Sequence, residues 1–448
     1  MNVYFQNNII LTLGFRLAKL KGSDWGPVPY ARNFLTIWSI LMKQQTLIET
    51  APYRALCRLE IGHICSALRS SLVLLLIFSA AFLLTAQEAE AAKTIKVAVA
   101  GPFTGSVAAF GEMIKKGAQL RAKEINGNGG INSKELELIF EDDTGKDKEA
   151  SLVATRIASN KKILAVVGHF NSSCSLAGKP IYKRNRIVEL SPGSTNVNVC
   201  KGSDYTFRNL YRDDFQGSFS AKYIKGVLTD VKTVAVFFDN DDYGRGLRDS
   251  FKQSAEKAGL AIVADEAYDR DTTDYKAQLT KIKFASPDLI FIAGLYSQAG
   301  LILSQARESG ITAQFFGADG VDSPKLLEIA GEAANGIYIT TPFIFGLEGN
   351  EEAQRVAIAF EQEFGKAPDT WAALTYDAVG MIVEAIEKRG ESRKAIRDHL
   401  GSLTSPEKGY QGITGLTYFD ENGDCLKPAY VKQVVNGKFV AAKVQFLD

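Results

Sequence analysis

The residues best suited to chemistry in this chain are small hydroxyls placed where buried strands end. In ILAVVGHFNSSCSLAG, residues 163–178, an aliphatic run stops at Gly168 and drops into His169, Asn171, Ser172, Ser173, Cys174 and Ser175. The stretch IVELSPGSTN, residues 187–196, ends in the same manner with Gly193, Ser194 and Thr195. Hydroxyls beside the free N–H groups of a helix start form a pocket for an anionic group such as a carboxylate. The competing reading is local: Ser is a favoured helix N-cap, and Ser194-Thr195-Asn196 alone is only a turn. The anion reading rests on the pair, since two such loops on adjacent strands can converge.

Further along, FFDNDDYGRG (237–246), GLYSQAG (294–300) and GADGVDS (317–323) also fall at strand ends. Asp319 has the chemistry to meet an ammonium group, and Tyr243 and Tyr296 can cover apolar parts of a ligand. A turn aspartate and half-buried tyrosines are the plain alternatives. Catalysis has little support. The chain carries no dinucleotide glycine fingerprint, Walker loop, G-x-S-x-G elbow, Cys-x-x-Cys or metal-ligand spacing, so no cofactor or metal is expected. His169 adjoins the serines, but no Asp or Glu accompanies it in sequence to orient it, and it reads as a packed histidine. A hydrolase using Ser172 or Ser194 with His169 is the remote alternative.

The elements that must position these residues alternate regularly from Thr94 onward. TIKVAVA, ELELIFED and ILAVV are strand-like and are separated by helical patterns over 111–126, 147–160 and 172–184. The series restarts at KTVAVFF (232–238), with helices predicted over 244–258, 274–284 and 297–309 around LAIVADEAY, DLIFIA and QFFGA. Such alternation predicts two doubly wound α/β sheets in series. VVGHFNSSCSLAG and FIAGLYSQAGL echo each other as a weak internal repeat. After GIYITTPF come helices over 351–365, 370–389 and 393–401, then ITGLTYF, AYVKQVV and KFVAAKV as antiparallel finishing strands, with a hairpin turn at Asn436-Gly437.

The chain has 448 residues, more than one core usually serves. Residues 72–86, LVLLLIFSAAFLLTA, follow Arg69 and precede Ala89-Glu90-Ala91-Ala92, the layout of a secretory signal over 66–92 with cleavage near Ala91. The block is shorter than the roughly 20 residues of a membrane span. Residues 1–65 lie upstream of that signal and read as a non-functional extension. From residue 93 onward, 44 Lys and Arg stand against 46 Asp and Glu, a balance that gives no sign of nucleic-acid binding. Cys174, Cys200 and Cys425 remain after export, enough for one disulfide and a free thiol, with no pairing fixed by spacing.

From about Lys93 to Asp448 the chain resembles the periplasmic leucine/isoleucine/valine-type amino-acid binding proteins, the solute receptors of ATP-driven (ABC) importers. The resemblance is carried by IKVAVAGPFTGSVAAFG, EINGNGGI, VVGHFNSSCS, SPGSTN, DYGRGL, GADGV and WAALTYDA. It implies a type I periplasmic binding protein fold, two doubly wound α/β lobes joined by a three-strand hinge. The lobes would span 93–213 plus 342–425 and 214–341 plus 426–448. Ser172, Gly193 and Thr195 match the positions that hold a ligand α-carboxylate, beside Ser194. Asp319, with the Gly193 backbone oxygen, matches the ammonium site. Phe110, Tyr243, Tyr296 and Trp371 match the aromatic positions around the ligand side chain.

There are departures from the family pattern. Asn171 stands where some members have a cysteine paired with one around Asp143, Asp319 is one methylene shorter than the glutamate of similar members, and Phe110 and Trp371 are substitutions at variable sites. The resemblance implies a monomeric periplasmic receptor that captures a free amino acid, most simply a branched-chain aliphatic one, and hands it to a membrane permease. The same fold with an amide, urea, γ-aminobutyrate or an aromatic acid as ligand is the alternative.

Overall fold

Strands form where aliphatic and aromatic residues run together without polar alternation, the pattern of parallel strands covered on both faces. Leu289–Ala293, LIFIA, is buried at every position. The computed structural model describes residues 94–347 and 349–445. The upstream extension, the apolar export signal and the expected cleavage near Ala91 lie outside the described residues.

The first sheet is made of β1 (Thr94–Gly101), β2 (Glu135–Asp142), β3 (Ile163–Val167), β4 (Val188–Ser191) and β5 (Thr206–Arg208). Its order is β2-β1-β3-β4-β5, with every neighbouring pair parallel. The connections carry α1 (Ala108–Gly127), α2 (Asp147–Ser159) and α3 (Ser172–Arg184). After β5 the chain enters α4 (Asp213–Val227) and moves to a second sheet built on β6 (Thr233–Asp239), β7 (Ala261–Tyr268), β8 (Leu289–Ala293), β9 (Gln314–Gly317) and β10 (Tyr338–Thr341). Its helices are α5 (Asp242–Lys257), α6 (Lys276–Ala285), α7 (Tyr296–Glu308) and α8 (Pro324–Ala330).

The parallel part of this sheet has the order β7-β6-β8-β9-β10, the same winding as the first. The echo between VVGHFNSSCSLAG and FIAGLYSQAGL thus has a spatial counterpart, because each covers the third strand of its sheet and the helix that follows.

After β10 the chain forms α9 (Glu351–Phe364), α10 (Thr370–Arg389) and α11 (Arg393–Leu400). Helix α10 packs on α1 so closely that a Cβ on Gly117 would lie 2.3 Å from the Ala372 carbonyl oxygen. A two-stranded ribbon of β11 (Tyr410–Gly412) and β12 (Gly415–Thr417) follows. Finally β13 (Tyr430–Val435) and β14 (Lys438–Ala441) extend the second sheet, β13 running antiparallel to β10. Asn436 and Gly437 turn that hairpin with φ of 50° and 71°, the left-handed pair a tight two-residue loop requires.

Some elements depart from the sequence reading. ITGLTYF supplies only the short β12, which pairs with β11 instead of joining the main sheet. Helices α4 and α8 and strand β5 were not anticipated, since DDFQGSFSAKYIKGV carries two glycine-interrupted turns and β5 is three residues long. The disulfide that these three cysteines would allow is absent among the described residues. Cys174, Cys200 and Cys425 are free and separately buried, and burial pushes the Cys200 and Cys425 thiols up to about 12 and about 11, so they stay protonated and unreactive. Among the described residues no helix is long and apolar enough to cross a membrane.

The α1–α10 crossing gives a direct check. Gly117→Val is expected to lower unfolding stability by about 1–3 kcal/mol, because a side chain there meets rigid backbone. Gly127→Ala, at the end of the same helix with nothing within 4 Å of the added carbon, is expected to be neutral or slightly stabilising in the same urea titration.

Candidate ligand-binding site

The two hydroxyl loops converge because their strands are neighbours: β3 and β4 pair in parallel and both loops leave the same sheet edge. Ser172 is the first residue of α3, and the N-cap residue, Asn171, makes no side-chain capping bond. The leading N–H groups of α3 therefore lack a side-chain acceptor, and the helix start keeps its partial positive charge. The capping reading of Ser172 gives way to another role, for its Oγ accepts from the Asn196 N–H at 3.2 Å and joins one loop to the other. Ser194 Oγ donates to the Phe170 carbonyl at 2.9 Å and lies 2.9 Å from Ser175 Oγ, so this hydroxyl braces the loops. A Cβ on Gly193 would lie 2.2 Å from the Phe170 ring, so the aromatic ring rests where only glycine leaves room. Thr195 Oγ1 is buried and makes no well-formed hydrogen bond, while acting on the Asp213 carboxyl.

An acidic group of comparable isolation comes from the second sheet. Asp319 follows β9 in a short 3-10 turn, Asp319–Val321. Its Oδ1 accepts from the Tyr243 hydroxyl at 2.7 Å, and that hydroxyl accepts from the Gly320 N–H at 3.1 Å. Its Oδ2 is buried and makes no well-formed hydrogen bond, with the Gln216 side chain the nearby donor that acts on the carboxyl. Burial raises the Asp319 carboxyl to about 6.

Asp213, the first residue of α4, is fully buried; neither carboxyl oxygen makes a well-formed hydrogen bond, and the Thr195 hydroxyl is the neighbouring donor that acts on it. Its N–H donates to the Thr195 carbonyl at 2.8 Å, which fixes α4 beside the hydroxyl loop. Burial first, and the negative charge of Asp319 second, hold Asp213 well above the usual carboxylate range. Gln216, one turn further, donates to the Tyr211 hydroxyl at 3.2 Å while its Oε1 is left unpaired. Buried polar atoms normally find partners, so this set of acceptors, Asp213, Gln216 and Asp319, calls for donors from outside the set.

Aromatic side chains from both halves pack against one another at the same boundary. Phe110 on α1 lies 4.6 Å from Phe170, 4.7 Å from Tyr296 and 5.6 Å from Trp371, ring centre to ring centre, and Phe170 lies 4.9 Å from Trp371. Edge-to-face geometry dominates these contacts, as ring quadrupoles prefer. The Tyr296 hydroxyl accepts from the Ala109 N–H at 3.1 Å, tying α7 to α1. Trp371 Nε1 donates to the Asp322 carbonyl at 2.9 Å. Asn196 Nδ2 donates to the Asp242 carbonyl at 2.6 Å, and Arg270 Nη1, whose guanidinium pairs with Asp239 and Asp241, reaches the Gly145 carbonyl at 3.2 Å. The Asp322 carboxylate accepts from Lys432 at 2.7 Å, Thr341 at 2.6 Å and Thr370 at 3.0 Å. Groups carried by the two sheets are thus held face to face.

His169 has an orienting carboxylate after all, but one distant in sequence. Asp143 Oδ2 lies 2.7 Å from Nδ1, and the Tyr182 hydroxyl lies 2.9 Å from Nε2, all three side chains being buried. Both ring nitrogens are engaged there, while Ser172 and Ser194 bond elsewhere, so no serine–histidine pair is assembled.

Of the residues singled out from sequence, Ser172, Gly193, Ser194 and Thr195 meet in one pair of loops, Tyr243 meets Asp319, and Tyr296 and Trp371 meet Phe110, which Phe170 also touches. Phe170, Asp213, Gln216, Asn196 and Asp322 were missed. Phe170 could have been noticed as the lone aromatic in a polar loop, whereas Asp213 in DDFQG reads as an ordinary acidic helix start.

The chain matches the periplasmic binding protein family over residues 94–438 and belongs to it. It is 32% identical over 336 residues to the leucine-, isoleucine-, valine-, threonine-, and alanine-binding protein of Pseudomonas aeruginosa, covering 75% of this chain and 88% of that one. It is 32% identical over 345 residues to Leu/Ile/Val-binding protein homolog 1 of Brucella abortus, covering 75% and 89%. Among solved structures it is similar to the branched-chain amino acid transporter substrate-binding protein LivJ of Streptococcus pneumoniae in complex with isoleucine, with TM-score 0.74, 34% identity and coverage of 79% of this chain and all of that one. The leucine-binding protein LivK of Thermotoga maritima also gives a TM-score of 0.74, at 32% identity, covering 78% and 98%. These solved relatives share the type I fold that the winding of the two sheets displays.

The Asp322 cluster can be tested without a ligand. Asp322→Ala leaves the mostly buried Lys432 ammonium without its carboxylate and is expected to cost about 3 kcal/mol in denaturant unfolding. Replacing both partners, Asp322→Leu with Lys432→Met, is expected to recover much of that loss.

Proposed function

We propose that this chain is an extracytoplasmic receptor that captures a free α-amino acid, most simply a branched-chain aliphatic one, between its two sheets and delivers it to the permease of an ABC importer. The observation that supports this most strongly is the pairing of opposite needs in one dry place. Asp319 Oδ2 is a buried acceptor without a well-formed hydrogen bond, while α3 begins with N–H groups that its N-cap side chain leaves uncapped. A zwitterion supplies what both lack, an ammonium for the acid and a carboxylate for the donors. Ser172, Gly193 and Thr195 would hold the carboxylate, Asp319 the ammonium, and Phe110, Tyr243, Tyr296, Trp371 and Phe170 the apolar side chain. Ser194 would keep the donor loop in shape.

The names of the relatives favour branched-chain substrates, and 32–34% identity over most of both chains supports carrying the ligand class over. Membership of the periplasmic binding protein family implies a location outside the cytoplasm; cleavage near Ala91 and a monomeric state belong to the proposal. The lobes would be 93–213 plus 342–425 and 214–341 plus 426–448. Closure of the two lobes about the three connecting segments would exclude water from the ligand, as hinge receptors do. Micromolar binding corresponds to about −8 kcal/mol, within reach of a few charge-assisted hydrogen bonds and one buried aliphatic side chain.

Calorimetry of the purified chain against each of the twenty amino acids tests the reading. Saturable heat is expected with leucine, isoleucine or valine and no product over time; silence from all twenty would refute it. Asp319→Ala is expected to weaken leucine binding by about 1.5–3 kcal/mol, roughly ten- to a hundredfold. Unchanged affinity in that variant would point instead to a ligand without an ammonium.

A further inference from the structure

Two buried carboxyl groups stand at the acidic pole, and an amino acid brings one ammonium. Asp319 is matched to that ammonium in the proposed function, which leaves Asp213 to be accounted for. The side chains that act on Asp213 come from the elements around it: Asp319 after β9, Tyr243 on α5, Asp241 before α5, Thr195 in the hydroxyl loop, Tyr211 ahead of α4 and Arg208 on β5. Arg208 is the one cation among them, and it is already committed. Its Nη1 donates to the Ser194 carbonyl at 3.0 Å, its Nη2 to the Asn196 carbonyl at 2.9 Å, and its Nε lies 2.7 Å from Asp424.

With the ligand carboxylate held by neutral donors and its ammonium by Asp319, an ionised Asp213 would leave one negative charge uncompensated in a fully buried place. Neutralisation by a proton is the ordinary escape from that cost. Resting on the amino-acid reading of the site, we infer that Asp213 is a carboxylic acid in the closed, ligand-bound receptor and that capture of the ligand takes up one proton from solvent at this residue. No bond to the ligand forms or breaks. The added O–H gives the acceptor-crowded pole one more donor.

The sign of the linkage follows. An aspartate reached by water in an open cleft holds its proton only below about pH 4. Closure raises its proton affinity, so the proton-linked part of the binding free energy is complete below the open-form value and is lost as pH climbs toward the closed-form value. Across that window the dissociation constant rises about tenfold per pH unit for one proton taken up.

The test is titration calorimetry of the whole purified chain with L-leucine at about pH 7.5 in phosphate, HEPES and Tris, buffers that differ in ionisation enthalpy. The expected result is a dependence of heat on buffer ionisation enthalpy that corresponds to uptake of about one proton, with binding about tenfold weaker at pH 8 than at pH 7. Asp213→Asn, which keeps the shape and is neutral at all pH, is expected to bind leucine with no buffer dependence at pH 7.5 and with affinity flat from pH 7 to 8, above the range in which Asp319 titrates. Leucine binding by the unaltered chain without proton uptake overturns the inference, and so does an uptake that persists in Asp213→Asn. Should that variant fail to fold, the buffer dependence of the unaltered chain decides alone. Silence of every amino acid removes the ligand reading and this inference together, an outcome distinct from binding without a proton.

Discussion

A carboxylate oxygen sealed from water without a well-formed hydrogen bond is the constraint on which the remainder of the site depends. Asp319 Oδ2 is in that position, and burial already draws the carboxyl up to about 6. Nothing in the packing of β9 requires an acid there, since the adjoining Phe315 and Phe316 are wholly apolar and buried. In the proposed reading the acid would be one end of a binding site whose other end is the uncapped start of α3. Dryness is what makes the arrangement effective, because a charge-assisted hydrogen bond in a water-free cleft is worth several times its exposed counterpart.

In the proposed reading that dryness would be produced by closure, and the contacts that hold the two sheets together are few and specific. Tyr296 to Ala109, Trp371 to Asp322, Asn196 to Asp242 and Arg270 to Gly145 each join a group from one sheet to a group from the other. Three of the four use a backbone carbonyl as acceptor, which fixes position without demanding a matching side chain. The residues that would touch the ligand are interleaved with these ties: Trp371 is both a wall of the aromatic enclosure and a donor across the boundary. Ligand recognition and closure would then be one cooperative event, in which each apolar ring that meets the ligand also brings a tie into register.

How much of this was legible in the sequence follows from the range of the interactions concerned. The doubly wound sheets were legible because parallel strands bury both faces, and TIKVAVA, ILAVV and LIFIA announce that in their composition. The Asn436-Gly437 hairpin was legible because its turn demands left-handed residues. The convergence of the Ser172 and Thr195 loops was within reach because adjacent strands of one sheet supply both. Asp213 was not, since its importance lies in making no well-formed hydrogen bond, and that depends on β5, α5 and the loop after β9 closing around it. Likewise Asp143 orients His169 from 26 positions away, and the Asp322–Lys432 pair spans 110 positions, separations that no local pattern encodes. Ser172 shows the opposite error: a plausible local role as a cap is replaced by a bond to Asn196 in the neighbouring loop.

The central claim is that both charged ends of one small molecule are gripped at once. The most direct measurement compares L-leucine with two truncated analogues of the same carbon skeleton, 4-methylpentanoate, which lacks the ammonium, and isopentylamine, which lacks the carboxylate. Tight binding of leucine with at least about a hundredfold loss for each analogue is expected, in line with the cost of leaving a buried charged partner unpaired. Either analogue binding as tightly as leucine would contradict the claim, because one of the two poles would then be idle.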